Sequence, residues 1–442
     1  MSQPVEALRN AFKIPELKSR IIFTLIMLAV YRLGAHVPTP GVDGGALSDA
    51  MGTGGLLSFY DMFSGGAFSN ATVFALGIMP YISASIIIQL LTAVWAPLER
   101  LAKEGAEGQK KITEYTRYGT IGLCIVQSLF VAAYLVKLNT PELVIVPNPS
   151  PFFYILCVIS FTTGTAFIMW LGEQISEHGV GNGISLIIFV SIVSRMPEAV
   201  YSLFQQLRND DLTMFEGIML IVVMVLVVAG VILVTTGQRR IPVQYPRQVK
   251  GRRVTAGGRN YLPLRVNQAG VIPIIFASSI LMLPSMVMNA VKSPEAQAFF
   301  QHWFEYDSLL YNLVYAGLII FFCFFYTAIT FNPVEIAENL KKYGGVVMGV
   351  RPGKATAEYL NRVMTRITLV GAVFLAGVAL LPKFVNSGLG VQDFNVSQFF
   401  GGTSLLILVG VALDTVRQVE QHLIMRNYDG FMKSGRKTPG RR

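Results

Sequence analysis

From Ala71 to Pro97 the chain carries no charged side chain. Such a run is long enough to cross a bilayer as a helix, since a helix rises about 1.5 Å per residue and the hydrocarbon core is about 30 Å thick. Within it lies Gly77-Ile78-Met79-Pro80-Tyr81-Ile82-Ser83-Ala84-Ser85-Ile86-Ile87-Ile88, followed by Gln89. Ile78 and Ile82 share one helix face, whereas Ser83, Ser85 and Gln89 lay a polar streak on others. Pro80 is expected to break the backbone ladder and free a carbonyl near Leu76, which lipid cannot satisfy. This span should therefore border a cavity or a moving seam.

A second stretch, Gly270-Val271-Ile272-Pro273-Ile274-Ile275-Phe276-Ala277-Ser278-Ser279-Ile280-Leu281, agrees with the first at half of its positions. Apolar segments match easily by chance, so residue identity alone leaves repeat and coincidence equally open. A true repeat would put two interrupted helices in corresponding places of two halves, with a site at the seam between them.

Nine further runs join Ala71–Pro97 as candidate spans: Ile21–Val37, Gly119–Val136, Phe152–Leu171, Ile184–Phe204, Met214–Thr236, Ala269–Val291, Leu309–Phe331, Ile367–Leu381 and Phe399–Leu413. Only 14% of residues are charged and 52% are hydrophobic, with a mean hydropathy of +0.52. A soluble core is excluded, and an all-α polytopic membrane protein of ten transmembrane helices is expected. Met1 to Arg20 reads as polar and mildly basic, not as a cleavable leader. Cys124, Cys157 and Cys323 all fall in apolar spans, as small buried hydrophobes and not as a disulfide or metal framework.

Cations cluster in alternate loops, around Arg9–Arg20, Arg100–Arg117, Arg239–Arg265, Lys341–Arg366 and Arg417–Arg442, and only Arg32, Lys137, Arg195, Arg208, Lys292 and Lys383 lie elsewhere. The positive-inside rule then puts both termini and all five clusters in the cytoplasm. The fifth span is the weakest, because its apolar core stops at Arg195 and Pro197, but without it two basic clusters would face opposite sides. The spans holding Pro80 and Pro273 run in opposite directions and lie five apart, so a five-span repeat must be inverted. This divides the chain into 1–205 and 206–442.

Between the first two spans lies Leu56-Leu57-Ser58-Phe59-Tyr60-Asp61-Met62-Phe63, stopped by Gly65-Gly66 and followed by Asn70 as a candidate helix cap. It is too short to span. It reads either as a surface helix or as a re-entrant segment in a water-filled funnel, where irregular backbone is tolerated.

Proton relays and intramembrane enzymes keep ionisable groups in mid-span, where each costs roughly 3 kcal/mol. Here the span centres read as free of them, with Glu99, Glu173, Glu216 and Asp414 at span ends. Gly349-Val350-Arg351-Pro352-Gly353-Lys354-Ala355-Thr356 resembles a P-loop, but it has three residues between its glycines, Ala355 after the lysine and no expected preceding strand. ATP binding is rejected, so transport energy must come from a partner or the membrane potential. The loops 238–265 and 332–366 then read either as orientation determinants or as a docking platform for an acidic or nucleic-acid-containing partner.

At this point the sequence resembles the SecY family, the central subunit of the bacterial SecYEG protein-conducting channel. The resemblance rests on Met79 to Leu91, Asp61-Met62-Phe63-Ser64-Gly65-Gly66, Gly179-Val180-Gly181-Asn182-Gly183-Ile184-Ser185, Phe325-Tyr326-Thr327 with Phe331-Asn332-Pro333, Arg351-Pro352-Gly353 and Gly401-Gly402-Thr403-Ser404-Leu405-Leu406, in order along nearly the whole chain. It implies two inverted five-helix halves around a central pore, with a short re-entrant plug helix at about 57–66 carrying Leu57, Phe59, Met62, Phe63, Gly65 and Gly66. It implies a lateral gate between the second and seventh spans, with Pro80, Ser85, Gln89, Pro273, Ser278 and Ser279. By position the pore ring would be Ile78, Ile82, Ile184, Ile188, Ile275 and Ile407. Branched apolar side chains can dewet a constriction and yield to a threading chain without a charged filter. For any one isoleucine, lipid-facing packing is the alternative.

The resemblance further implies docking of the SecA ATPase or the ribosome through Arg239, Arg240, Arg252, Arg253, Arg351 and Lys354. SecE and SecG would be companion subunits, and signal peptides and nascent secretory or membrane proteins would be clients. SecDF, YidC and membrane lipids are further candidate partners. No catalytic residue, metal or cofactor is expected, and a multi-pass place in the bacterial cytoplasmic membrane is. The rivals are a secondary transporter and an intramembrane enzyme, each of which needs polar clusters that the spans lack.

Overall fold

Helix starts follow local capping chemistry. Thr213 and Glu216 form a reciprocal capping box, Asn182 accepts from the Ser185 amide, Asn332 from those of Val334 and Glu335, and Ser308 from that of Tyr311. Each cap satisfies amides that the first helical turn leaves unpaired. The computed structural model describes residues 14–50, 61–139, 144–209, 212–245, 248–250, 253–255, 259–290, 308–389, 396, 399–400 and 402–434. Its helices are α1 (Pro15–Gly34), α2 (Gly44–Ala50), α3 (Met79–Val94), α4 (Ala96–Lys103), α5 (Ala106–Lys137), α6 (Pro151–His178), α7 (Gly183–Arg208), α8 (Met214–Thr236), α9 (Ile272–Ala290), α10 (Leu309–Thr330), α11 (Pro333–Lys342), α12 (Lys354–Leu389) and α13 (Thr403–Ser434).

Each of the ten expected spans overlaps one helix, α1, α3, α5, α6, α7, α8, α9, α10, α12 or α13. Of these, α5, α6, α7, α8, α12 and the α10–α11 stretch are long and apolar enough to cross a membrane on their own. Hydropathy marks only the part that lipid covers, so several helices overrun their spans. The 36 residues of α12 reach about 54 Å, well beyond Ile367–Leu381. Pro197 and Arg195 do not end the fifth span, because α7 runs through both to Arg208.

The second span departs from expectation. Only Met79–Val94 is helical, and α4 follows at a 97° bend. The preceding 71–78 stretch is irregular, with left-handed Ala71 (φ 46°) and Gly77 (φ 55°). Pro80 is therefore no mid-helix kink, since it sits in the first turn, where its missing N–H costs nothing. Asn70 caps no helix and instead donates to the Gly66 carbonyl. Thr165 of α6 donates to the Gly77 carbonyl at 3.2 Å, so protein supplies the partner that lipid lacks. Pro273 likewise follows a left-handed glycine, Gly270 (φ 64°), into the first turn of α9.

One apolar core runs through the helices. Helix α3 packs on α5, α5 on α6, α6 on α1 and α7, while α9 packs on α10, α10 on α12, and α8 on α13. Two seams join these groups, α9 against α3 and α5, and α7 against α8 and α13.

The basic loops are not irregular. Strands β1 (Gln238–Gln244) and β4 (Arg259–Arg265) form an antiparallel hairpin, and β2 (Gln248–Lys250) pairs with β3 (Arg253–Thr255) farther along it. Strand β5 (Val346–Val347) comes from the other loop and adds to β1, giving the order β4-β1-β5. Ile241, Val243 and Leu264 of this sheet pack with Phe331, Val347, Leu360 and Met364 as a second core.

Candidate pore, plug and gate

Helices α3, α7 and α9 converge on a cavity of about 240 Å³. Ile82 of α3, Ile184 and Ile188 of α7, and Ile275 of α9 line it, so four of the six expected ring residues face one space. The 82/275 and 184/188 side chains meet there because each lies within the first two turns of its helix, and the starts of three helices from distant parts of the sequence line one space. Ile78 and Ile407 are also buried, but they do not line this cavity. Ile78 is the residue before α3 begins, and Ile407 is packed in the core. Tyr81, Asn182, Ser185 and Tyr326 also face the cavity, giving its apolar wall a polar margin; in the sequence they stand out only as members of family motifs, with no place at a pore assigned to them.

Ser85 and Gln89 line the same cavity, with Gln89 Nε2 donating to Ser85 Oγ at 3.1 Å. Ser278 and Ser279 are buried and donate to the Ile275 carbonyl at 2.9 and 2.7 Å. Ser279 Oγ also meets Met79 Sδ at 3.9 Å across the α3–α9 seam. Pro80 and Pro273 are buried at the starts of the two helices. The seam thus brings the six expected gate residues onto two helices in contact.

Of the expected plug residues, Leu57 and Phe59 lie outside the described residues. Met62, Phe63, Gly65 and Gly66 form the end of a helical turn over 61–64. The Gly66 amide donates to the Asp61 carbonyl and the Gly65 amide to that of Met62, which is a Schellman closure with Gly65 left-handed (φ 67°). Met62 and Phe63 are buried, and Met62 Sδ accepts from Ser404 Oγ of α13 at 2.9 Å. The turn therefore packs inside the helix bundle and does not lie on its surface.

The walls around this turn hold residues that sequence reasoning missed. Tyr31 of α1 contacts the Ser64 carbonyl and Ser191 Oγ. Arg32 donates to the Gly65 carbonyl at 2.7 Å. Arg195 of α7 forms an ion pair with buried Asp61 and donates to Ser69 Oγ at 2.9 Å. The available signal was charge placement, because Arg32 and Arg195 are two of the few cations outside the five basic clusters.

On the loop side, Arg239 and Arg240 are exposed on β1, and Arg351 and Lys354 are exposed at the turn into α12. A cavity of about 490 Å³ between Gln244 and the 346–352 turn has Arg351 on its wall. Arg253 lies in β3 opposite Lys250, and Arg252 lies outside the described residues. A two-residue strand, β5, does precede the P-loop-like stretch, against expectation. The Thr356 hydroxyl is committed to the Arg351 carbonyl at 2.8 Å. Among the described residues no group of three or more His, Cys, Asp or Glu is placed to hold a metal ion.

Fold and site together define a polytopic α-helical membrane protein with an isoleucine-lined cavity among α3, α7 and α9 and a buried turn at 61–66. The SecY family model matches residues 72–416. The protein translocase subunit SecY of Thermotoga maritima is 45% identical over 444 residues, covering 99% of this chain and 100% of that protein. Two solved structures share the fold. One is described as the plug domain of the SecY protein stabilising the closed state of the translocation channel and maintaining a membrane seal, with TM-score 0.62, 19% identity and coverage of 94% and 96%. The other is Sec61 in the canine ribosome-channel complex, with TM-score 0.56, 18% identity and coverage of 94% and 96%. This chain belongs to the SecY family.

Proposed function

We propose that this chain is the pore-forming subunit of a protein-conducting channel that passes unfolded secretory polypeptides across the membrane and releases transmembrane segments sideways into lipid. The observation that carries the reading is the convergence of Ile82, Ile184, Ile188 and Ile275 on one cavity between α3, α7 and α9. Branched apolar side chains around a narrow space exclude water at rest, and they part for an extended chain of any sequence because they make no specific bonds. Segment 57–66 is the plug, with Met62 and Phe63 buried in the helix bundle. The α3–α9 seam is the lateral gate. A hydrophobic signal segment entering there stabilises the open arrangement, since it interacts with lipid and gate in that state alone.

The two halves, 1–205 and 206–442, move against each other at the two helix seams. The chain itself has no catalytic role, and work comes from a motor or ribosome docked on the β4-β1-β5 sheet, through Arg239, Arg240, Arg252, Arg253, Arg351 and Lys354. The relative's description as a translocase subunit and the ribosome-channel title of the Sec61 structure support that assignment. SecE, SecG and SecA are the partners expected with it, in the bacterial cytoplasmic membrane with both termini inside. Photocrosslinkers at Ile82 and Ile188 test the reading. A stalled secretory chain should crosslink to both, and contact at neither would exclude a conduit along this cavity.

A further inference from the structure

Charge within a membrane helix is expensive and persists where it does something. Arg195 lies twelve residues into α7, which places it roughly 18 Å from the start of that helix. Its side chain is only 22% exposed, and it is one of the cations that the inside-positive pattern does not explain. On the 61–70 segment its polar partners are Asp61 of the plug and Ser69 just beyond it. Its guanidinium pairs with Asp61, whose side chain is 9% exposed, and donates to Ser69. Asp61 is also held from the other side, because its second oxygen accepts from the Ser69 amide at 2.7 Å. Arg32, another off-pattern cation, donates to the Gly65 carbonyl from α1. A side chain on Gly66 would press on the Arg195 guanidinium at 3.3 Å, so the turn is shaped to receive that group.

We propose that Arg195, assisted by Arg32, is a positioning residue that latches the plug to the first-half helices α1 and α7. The latch rests on the plug reading above and sharpens it. Residues 61–72 are braced internally, with the Thr72 amide and hydroxyl both donating to the Ala67 carbonyl, so the turn moves as a unit. Toward α13 the plug offers the soft Ser404–Met62 contact, whereas toward α7 it offers an ion pair shielded from water. Neutralising one member of a buried pair strands the other, so release has a high threshold. Movement of α13 alone then leaves the plug seated. Passage requires the entering chain to displace Asp61 from Arg195.

The test is resting ion conductance of the full chain, reconstituted in planar bilayers as the complex in which it purifies. Arg195→Gln and Asp61→Asn should each raise the fraction of open time about tenfold or more, the scale set by losing one partner of a close charge pair. Exchanging the charges, Arg195→Asp with Asp61→Arg, should bring conductance back toward the parent level. Glu198 also pairs with Arg195, so the exchange is made and compared in a Glu198→Gln background. If Arg195→Gln does not assemble, Asp61→Asn removes the same pair from the plug side. Deleting 57–66 separates the two ideas. A leaking deletion alongside tight Arg195→Gln and Asp61→Asn channels overturns the latch and keeps the plug. A tight deletion overturns the plug, and the latch with it. Leak in both single variants without recovery on exchange reduces Arg195 to a packing role and refutes the latch.

Discussion

Replacing Gly65 with alanine tests how the plug turn is seated. Gly65 has φ 67°, and holding an L-residue there costs about 1 kcal/mol. An added Cβ would lie 2.9 Å from the Ser191 Cα and 3.1 Å from Ser194 Oγ. The first neighbour is α7 backbone, which cannot swing aside as a side chain can, so overpacking adds about 1–3 kcal/mol. Together these make roughly 2–4 kcal/mol against the docked turn, or about a 30- to 900-fold shift in the docked-to-undocked ratio. Gly105→Ala is the matched control, since Gly105 is also left-handed (φ 78°) but has nothing within 4 Å of a Cβ. It carries the backbone term without the clash, in a turn far from the plug. In planar bilayers Gly65→Ala should conduct ions at rest and Gly105→Ala should not. Equal, tight resting conductance in both would refute the close fit against Ser191.

Other positions give independent checks. Thr165→Val keeps the shape but leaves the Gly77 carbonyl without its donor, so the thermal midpoint of the complex should fall, by the equivalent of about 1–3 kcal/mol; an unchanged midpoint would mean another group takes the bond. Leu360→Ala empties a fully buried site in the loop-sheet core and should cost about 2–5 kcal/mol locally, seen as faster proteolysis within 238–265 while the membrane helices stay protected. Arg351→Glu reverses the charge at the exposed turn and should impair motor-driven export more than insertion, with equal loss of both counting against a docking role.

The membrane-spanning architecture was legible because lipid imposes one rule on every residue it touches, and runs such as Met214–Thr236 obey it to the residue. Features decided by neighbours in space were less so. The start of α3 at Met79 instead of Ala71 goes with a Gly77 carbonyl held by Thr165, 88 residues from it in sequence, and the one local sign of that start is Pro80 in the first turn. The hairpin leaves a weak signal, apolar residues at Ile241 and Val243 of one strand and at Leu262 and Leu264 of the other, and a proline in each strand works against it, since proline cannot donate to a ladder. Pro242 faces Tyr261 and Pro263 faces Arg240 in the register, so the pairing tolerates both prolines. Ile78 and Ile407 show the limit of positional transfer: each is a buried isoleucine in the right segment, yet lining the cavity depends on a side-chain direction that sequence spacing alone does not fix.

The β5–β1 pairing changes what docking on one loop can do. Val243 and Gln244 register with Val347 and Val346, so a load on the 346–352 turn reaches β1 and, through it, β4. Strand β4 ends at Arg265, the Val266 amide donates to the Gly237 carbonyl at 3.0 Å, and Asn267 donates to the Gly270 carbonyl at 2.9 Å, immediately before α9. A partner pushing on either loop would thus bear on the start of the helix that carries Ile275 and Ser279. If that chain of contacts transmits force, Asn267→Ala should weaken the response of the α3–α9 seam to partner binding while leaving partner affinity intact. A crosslink between cysteines at Met79 and Ser279 reads that response. Unaltered partner-dependent loss of the crosslink in Asn267→Ala would show that the coupling runs elsewhere.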